Sequence, residues 1–525
     1  MASRSEWLPQ RLWRAVVTTF AILVALAVLG SLAGPSWNPE PMDFDLDLAS
    51  TQTGIGGVKT STPVGTYEVQ TQLQEIQLTP QVRITARIQY PVGLEGKLPA
   101  LLFVHGAGTA DHERSFVQIT HDLTSTGIIT MVPDKRMDTY STIERNYEHM
   151  ARDYLVSLDV LRNLPRVDEN RTGVYAVSEG SWIAPVMAAS NSDISAVMLI
   201  SAPVVPPRWQ AGYAVDNYLR NTGVPKELFQ AIPRAVGMSV PGSGMNYVDF
   251  DVSSFQQRLK QPIFVAYGTG DASMPQVQGT DIIISDAEVA GNHQVTARFY
   301  AGADHGMWVS DGVLAPGYAQ DLSDWFTNLP DTAQAAPQLA GDQPVQKYRA
   351  SSVPQTLWFN DLGLVIAQLI TAVVSILLAF LLVPVWRFIA KRRGKTRLPA
   401  ISPEIRWPLF GAVVGGLVTL VALVVYLVMV ARIAMDYAHA PLRVQGGWIV
   451  VRLLAIATAL MLAILLNRVV HIRAERKGVA RELWAQRGLW YVRGVGGVIS
   501  TTLAGLGSGI LLLMLSYWGV YQLGL

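Results

Sequence analysis

Val174-Tyr175-Ala176-Val177-Ser178-Glu179-Gly180-Ser181-Trp182-Ile183-Ala184 joins a short apolar run to a second apolar run through a turn of small and polar residues. The first run reads as a buried strand and the second as the start of a helix. Ser178 sits on the turn, with Ala176 two residues before it and Gly180 two residues after it. A sharp strand-to-helix turn presses backbone against backbone, so it needs small residues at those positions. Such a turn presents the serine hydroxyl beyond the end of a strand, where a nucleophile would sit.

Two further segments also follow runs that read as buried strands: Tyr267-Gly268-Thr269-Gly270-Asp271 and Gly302-Ala303-Asp304-His305-Gly306. A serine hydroxyl is a weak nucleophile at neutral pH. It needs a base, a group that orients the base, and donors for the oxyanion. His305 is the candidate base, since among the eight histidines it is the one in a turn after the last strand. His121 lies on a predicted helix, and His439 and His471 flank apolar segments. Asp271 is the candidate orienting acid, although a turn aspartate can equally bond its own backbone. Asp281, Asp286 and Asp304 fit that role less well. The oxyanion donors expected are the backbone N–H groups of Glu179 and of Ala107, the latter in His105-Gly106-Ala107-Gly108 after the third strand. This chemistry requires no cofactor, and nothing near His112-Glu113 completes a metal site. The chain has no cysteine, which excludes disulfides, thiolate metal sites and a cysteine nucleophile.

The surrounding pattern supplies the scaffold. Strands are predicted at 67–78, 82–90, 100–104, 128–132, 173–176, 196–200, 263–267 and 295–300. The first two alternate apolar and polar residues, whereas the middle ones are continuous apolar runs, as buried parallel strands are. Helices are predicted at 115–126, 147–164, 180–190 and 319–328. The expectation is an α/β fold with an eight-stranded, mostly parallel sheet. A lid is expected at about 203–255, carrying Trp209, Tyr213, Tyr218, Phe229, Met238, Met245, Tyr247 and Phe250. These side chains would line an acyl pocket or form the lid's own small core.

Half of the 525 residues are hydrophobic and 15% are charged, and the apolar residues are unevenly spread. The net charge of +1 and the lack of a basic cluster with interleaved aromatics give no sign of nucleic-acid binding. A membrane-crossing helix needs about 20 apolar residues. Five stretches meet or approach this: 15–33, 362–385, 408–430, 448–466 and 495–523. Arg4, Arg11 and Arg14 precede the first. Arg387, Lys391, Arg392, Arg393, Lys395, Arg397 and Arg406 follow the second, and Arg468, Arg473, Arg476, Lys477, Arg481, Arg487 and Arg493 follow the fourth. The loop from Asp436 to Arg443 is poor in positive charge. By the positive-inside rule the N-terminus is cytoplasmic, while residues 35–360 and the C-terminus are outside. The first stretch, ending in Ser31-Leu32-Ala33, reads either as an anchor or as a cleavable export signal.

Arg452 is expected to snorkel from the outer end of its span, and Asn467 lies at an inner end. Gly411, Gly415 and Gly416, with Gly494, Gly496, Gly497, Gly505, Gly507 and Gly509, permit close helix packing and hint at self-association or a partner membrane protein. The expected organisation is an anchor at 1–34, a linker at 35–65, the extracytoplasmic domain at 66–330, a second linker at 331–357 and a four-helix membrane region at 358–525.

Residues 65–330 resemble the dienelactone-hydrolase and prolyl-oligopeptidase-like branch of the α/β-hydrolase superfamily. The resemblance rests on His105-Gly-Ala-Gly-Thr-Ala-Asp111-His-Glu-Arg, Asp134-Lys135-Arg136, the Ser178 turn, Gly268-Thr-Gly-Asp271 and Asp304-His305-Gly306. Met137-Asp138-Thr139, Ala176 and Ser181 depart from the glycines of that pattern. The resemblance implies hydrolysis of carboxylic esters, thioesters or peptides. The expectation is a membrane-anchored serine hydrolase, in a bacterial plasma membrane, that cleaves or transfers an acyl group of an envelope lipid or acylated glycan. A serine peptidase of the same fold, and a non-catalytic scaffold that binds a lipid or protein, are the alternatives.

Overall fold

The structure, a computed structural model, describes residues 4–238, 245–358, 361–394, 400–435, 438, 440–477 and 492–522. Lys395, Arg397, Asp436, His439, Arg481 and Arg487 lie outside the described residues, as do 239–244 of the expected lid. Along the chain run α1 (Arg4–Leu32), β1 (Val69–Thr79), β2 (Val82–Pro91), β3 (Leu98–Val104), α2 (Val117–Thr124), β4 (Ile129–Pro133), α3 (Tyr147–Arg162), β5 (Val167–Val177), α4 (Gly180–Ser190), β6 (Val197–Ile200), α5 (Pro207–Thr222) and α6 (Ala231–Val236). Then come β7 (Ile263–Gly268), α7 (Gln276–Val289), β8 (Val295–Tyr300), α8 (Tyr318–Thr327), β9 (Leu339–Gly341), α9 (Leu362–Arg392), α10 (Pro403–Met435), α11 (Pro441–Lys477) and α12 (Gly494–Tyr517). Two compact units form: Asn38–Asn217 with Pro241–Ser352, and Met1–Trp37 with Tyr218–Val240 and Val353–Leu525.

The first unit is built on a sheet of order β1-β2-β4-β3-β5-β6-β7-β8-β9. Its first two pairings, β1–β2 and β2–β4, are antiparallel, and the remainder are parallel. The central strands are apolar throughout because both faces are covered. Leu102, Val104, Ala176 and Leu199 pack with Leu158 of α3, Ile183 of α4 and Ile283 of α7. Their neighbours Leu101, Phe103, Tyr175 and Met198 point the other way, onto Leu123 of α2 and Trp325 of α8. Asn146 caps α3 by accepting from the His149 N–H at 2.9 Å, worth about 1 kcal/mol. The first nine residues of α4, Gly180 to Ala188, are all buried, which is why that helix carries no polar face.

The sheet has nine strands, not eight. The ninth, Leu339–Gly341, falls in the segment read as a linker and pairs with Ala297–Phe299 of β8. Its three residues are too short for any periodicity, and their pairing is entirely long-range. The first linker is also part of this unit. Arg298, fully buried in β8, donates to the Thr53 and Gly54 carbonyls and to those of Pro337 and Gln338. The Ala49 N–H donates to Leu339 O, and the Met42 N–H to Lys347 O.

In the second unit α1, α9, α10, α11 and α12 are long and apolar enough to cross a membrane. Several glycines are spent on packing within the chain: a Cβ at Gly415 would meet Thr458, one at Gly411 Met461, and one at Gly496 Trp386. A Cβ at Gly505 or Gly509 would meet nothing within 4 Å among the described residues beyond its own helix. The Arg452 side chain is 28% exposed. It pairs with Glu227 at 3.0 Å and donates to Gln522 O, because a carboxylate from the insert between β6 and β7 meets it there. Thr18 donates to Asn467 at 3.2 Å.

That insert was expected to be a lid, yet residues 218–240 belong to the helical unit. Val224 and Leu228 are buried with Leu26, Leu423, Trp448 and Leu515. Arg234, 1% exposed, donates to the carbonyls of Gly30 and Tyr517, near the C-terminal ends of α1 and α12. Gln445, near the start of α11, donates to Gly223 O. These contacts place the C-terminal ends of α1 and α12 and the N-terminal end of α11 at one end of the bundle. The insert's aromatic residues are likewise divided. Tyr247 and Phe250 pack on Tyr147, Tyr213 joins Val205 and Ala350, and Phe229 joins the helices. Neither an acyl-pocket lining nor a separate lid core describes them.

Candidate active site

Every candidate residue lies at or beyond the C-terminal end of a parallel strand. Ser178 follows β5 with φ +53°, a strained left-handed value for a residue with a side chain. Crowding explains the flanking glycines: a Cβ on Gly180 would lie 2.7 Å from Val104 O, and one on Gly106 would lie 3.2 Å from Ser178 Cβ. Turn and loop are thereby pressed together. Asp271 follows β7 and His305 follows β8, and their two turns interlock, since the Gly270 N–H donates to Ala303 O and the Gly302 N–H to Thr269 Oγ1.

His305 Nδ1 lies 2.7 Å from Asp271 Oδ2. An ionised carboxylate only accepts, so the Nδ1 carries the proton and Nε2 is left as an acceptor. The Asp271 side chain is fully buried. Its other oxygen accepts from the Ser273 N–H at 2.8 Å and the Ser273 hydroxyl at 2.6 Å. Gln276 ties the same turn down by donating to Gly268 O and Asp271 O. Ser201 Oγ donates to His305 O at 2.9 Å. Burial disfavours a charged His305 ring, but the hydrogen bond to Asp271, the charge of Asp271 and that of Asp304 outweigh it. The pKa therefore lies above the ordinary 6.5. His105 behaves oppositely: burial pushes it down to about 4, and its Nε2 is bonded to Pro133 O. It holds its loop as a neutral ring.

Ser178 and His305 both line one cavity of about 640 Å³, and no hydrogen bond joins them. Phe116, Val117, Ile119, Trp308 and Leu314 supply apolar wall, with Asp111, Arg114 and Gln118 as polar groups. The Ala107 and Glu179 N–H groups have no acceptor among the described residues. His112, weighed as a metal ligand, bonds Asp134 at 2.7 Å instead.

Sequence reasoning assigned Glu179 only its backbone. Its side chain, 1% exposed, takes Lys135 Nζ at 3.0 Å, Arg145 Nη1 at 2.5 Å and the Tyr140 hydroxyl at 2.8 Å. Lys135 had entered only as part of Asp134-Lys135-Arg136. Its neighbours Met137 and Asp138 are exposed, so nothing local marked Lys135 as the buried member of that loop.

The strand order, the serine turn and the acid and histidine turns agree on one architecture. The first unit has an α/β architecture with a mostly parallel sheet. The profile of the family BAAT / Acyl-CoA thioester hydrolase C terminal matches residues 156–309, from within α3 to just past His305. No curated protein matches the chain. Among solved structures, Est1E from Butyrivibrio proteoclasticus is 15% identical, with 48% of this chain and 95% of that one covered at a TM-score of 0.34. DcsB, solved in complex with its substrate analogue, is 16% identical over 50% and 99% of the two chains, TM-score 0.36. Porphyromonas gingivalis dipeptidyl peptidase 4 is 14% identical over 51% and 36%, TM-score 0.34.

Proposed function

We propose that this protein is an α/β-hydrolase, a membrane-anchored, extracytoplasmic serine esterase or thioesterase with Ser178, His305 and Asp271 as its triad. The observation that carries this reading is the 2.7 Å Asp271–His305 bond beside a cavity that both His305 and Ser178 line. Ser178 Oγ attacks the acyl carbonyl while His305 Nε2 takes its proton. The N–H groups of Ala107 and Glu179 hold the oxyanion, and His305 returns the proton to the leaving group. Water, or another hydroxyl, then releases the acyl group. The apolar wall of Phe116, Val117, Ile119, Trp308 and Leu314 suits an acyl chain, and the matched family favours a thioester or ester over a peptide. An envelope lipid or acylated glycan is the substrate class that fits a site tied to a bilayer.

The positive charge beside α9, α10 and α11 supports an outward-facing hydrolase. The packing of α1 in the bundle, where Ser516 donates to Leu26 O and Gln522 to Ala27 O, supports a retained anchor. Labelling intact cells with a membrane-impermeant fluorophosphonate tests both parts. Wild type should label and Ser178→Ala should not, since losing a triad serine costs about 10⁶ in kcat in a well-studied protease. Labelling only after permeabilisation would reverse the topology. Equal labelling of the two proteins would remove Ser178 as nucleophile.

A further inference from the structure

The buried charges behind Ser178 reach the oxyanion site through a single peptide group. Lys135 Nζ, 1% exposed, donates to Gly106 O at 2.6 Å. The Gly106 carbonyl and the Ala107 N–H belong to the same planar amide. A cation on its oxygen draws electron density through the C–N bond, which has partial double-bond character, and makes the N–H at the other end a stronger donor. That N–H points away from Lys135 and has no acceptor among the described residues. The second donor is connected to the same lysine, because the side chain of Glu179 holds Lys135 at 3.0 Å while its own N–H flanks Ser178.

The charges do not cancel. Lys135 and Arg145 share the single carboxylate of Glu179; burial and Arg145 pull the Lys135 pKa below its ordinary value while Glu179 holds it up, so with Lys135 protonated the three side chains carry one formal positive charge in excess. Tyr140 donates to that carboxylate and places its ring 4.3 Å from Lys135 Nζ and 4.9 Å from the Arg145 guanidinium, a favourable face for both. An excess charge screened from water acts on nearby developing charge far more strongly than it would in solution.

We infer that Lys135 is a positioning and polarising residue for the oxyanion hole, acting through the Gly106–Ala107 peptide, with Glu179 and Arg145 holding it in place. The inference rests on the serine-hydrolase reading above. Lys135 touches no reacting atom. It strengthens a contact that tightens as the carbonyl oxygen becomes an oxyanion, so its effect falls on the transition state more than on the bound substrate.

The test uses the full-length protein in detergent, p-nitrophenyl butyrate as substrate, and a trifluoromethyl ketone carrying the same acyl group as a tetrahedral mimic. Lys135→Met leaves Glu179 paired with Arg145. It is expected to lower kcat by about 10- to 10²-fold, short of the ~10²–10³ for outright loss of a donor. Inhibition by the ketone should weaken by the same factor, with KM little changed. Lys135→Gln keeps a donor for Gly106 O without the charge and should fall between wild type and Lys135→Met. If the methionine variant does not fold, the glutamine variant carries the measurement. Folded variants with wild-type kcat overturn the inference, as does an equal loss in KM and in ketone affinity, which would mark a distorted pocket. A wild type that neither turns over the ester nor labels with fluorophosphonate overturns the serine-hydrolase reading and this inference with it.

Discussion

Lys135 in the hydrolase unit and Arg234 in the helical unit use the same chemistry to different ends. Both are buried cations that donate to main-chain carbonyls, Lys135 to Gly106 and Arg234 to Gly30 and Tyr517. The peptides that receive Arg234 lie near helix C-termini, where carbonyls lack intrahelical partners, so the cation completes a structure. The peptide that receives Lys135 ends in an N–H with no partner among the described residues, so in the proposed role the cation leaves a donor strengthened and available. What lies at the other end of the amide separates support from the proposed part in catalysis.

The largest expected effect concerns the group that sets the base. Asp271→Asn should lower kcat by about 10⁴, as loss of the orienting acid does in serine proteases. His305 must be neutral to accept the serine proton. Activity should therefore fall as pH drops through its pKa, with a midpoint above 6.5 in wild type because Asp271 and Asp304 outweigh burial. In Asp271→Asn the residual activity should show that midpoint moved to lower pH. A pH–rate profile checks both, and an unmoved acid limb would show that another group titrates. The same raised pKa adds stability that is complete below about pH 6.5 and fades as pH rises through the folded-state value.

Arg234→Met should destabilise the helical unit by about 2–4 kcal/mol, since two buried carbonyls lose a charged donor. The measurement is thermal unfolding in detergent, with kcat of the folded protein unaltered. A fall in kcat matching that of Lys135→Met would erase the distinction between the two cations. The smallest effect is expected from Tyr140→Phe, which removes one of the donors to Glu179. A loss of about 1 kcal/mol in unfolding free energy with kcat retained would show the cluster over-determined. A loss in kcat would mean that the position of Lys135 depends on every member.

Much of the hydrolase was readable because its signals are local. Apolar runs such as Leu101–Val104 are buried on both faces and need no partner to be recognised. The turns around Ser178, Asp271 and His305 carry small residues at fixed offsets, and the three turns do come together beside one another. What escaped reading depends on distant pairings. Glu179 meets Lys135 across 44 residues, and Glu227 meets Arg452 across 225. A glutamate after a serine turn, or in the middle of an insert, looks like an ordinary solvated charge until its partner is known. The ninth strand was missed for the same reason, since Leu339-Ala340-Gly341 has no pattern apart from β8.

The insert at 218–240 also bears on how this enzyme could be released or dissected. The chain passes between its two units after residues 37, 217, 240 and 352. A protease that nicks one connecting segment would leave the hydrolase attached through the others, so shedding of a free enzyme would take several cuts. A water-soluble fragment made by trimming at 38 and 352 would still carry Val224, Leu228 and Phe229, stripped of the helices that cover them. Such a fragment would be expected to aggregate through that stretch. Replacing 218–240 by a short polar bridge is the design that would yield a tractable catalytic domain.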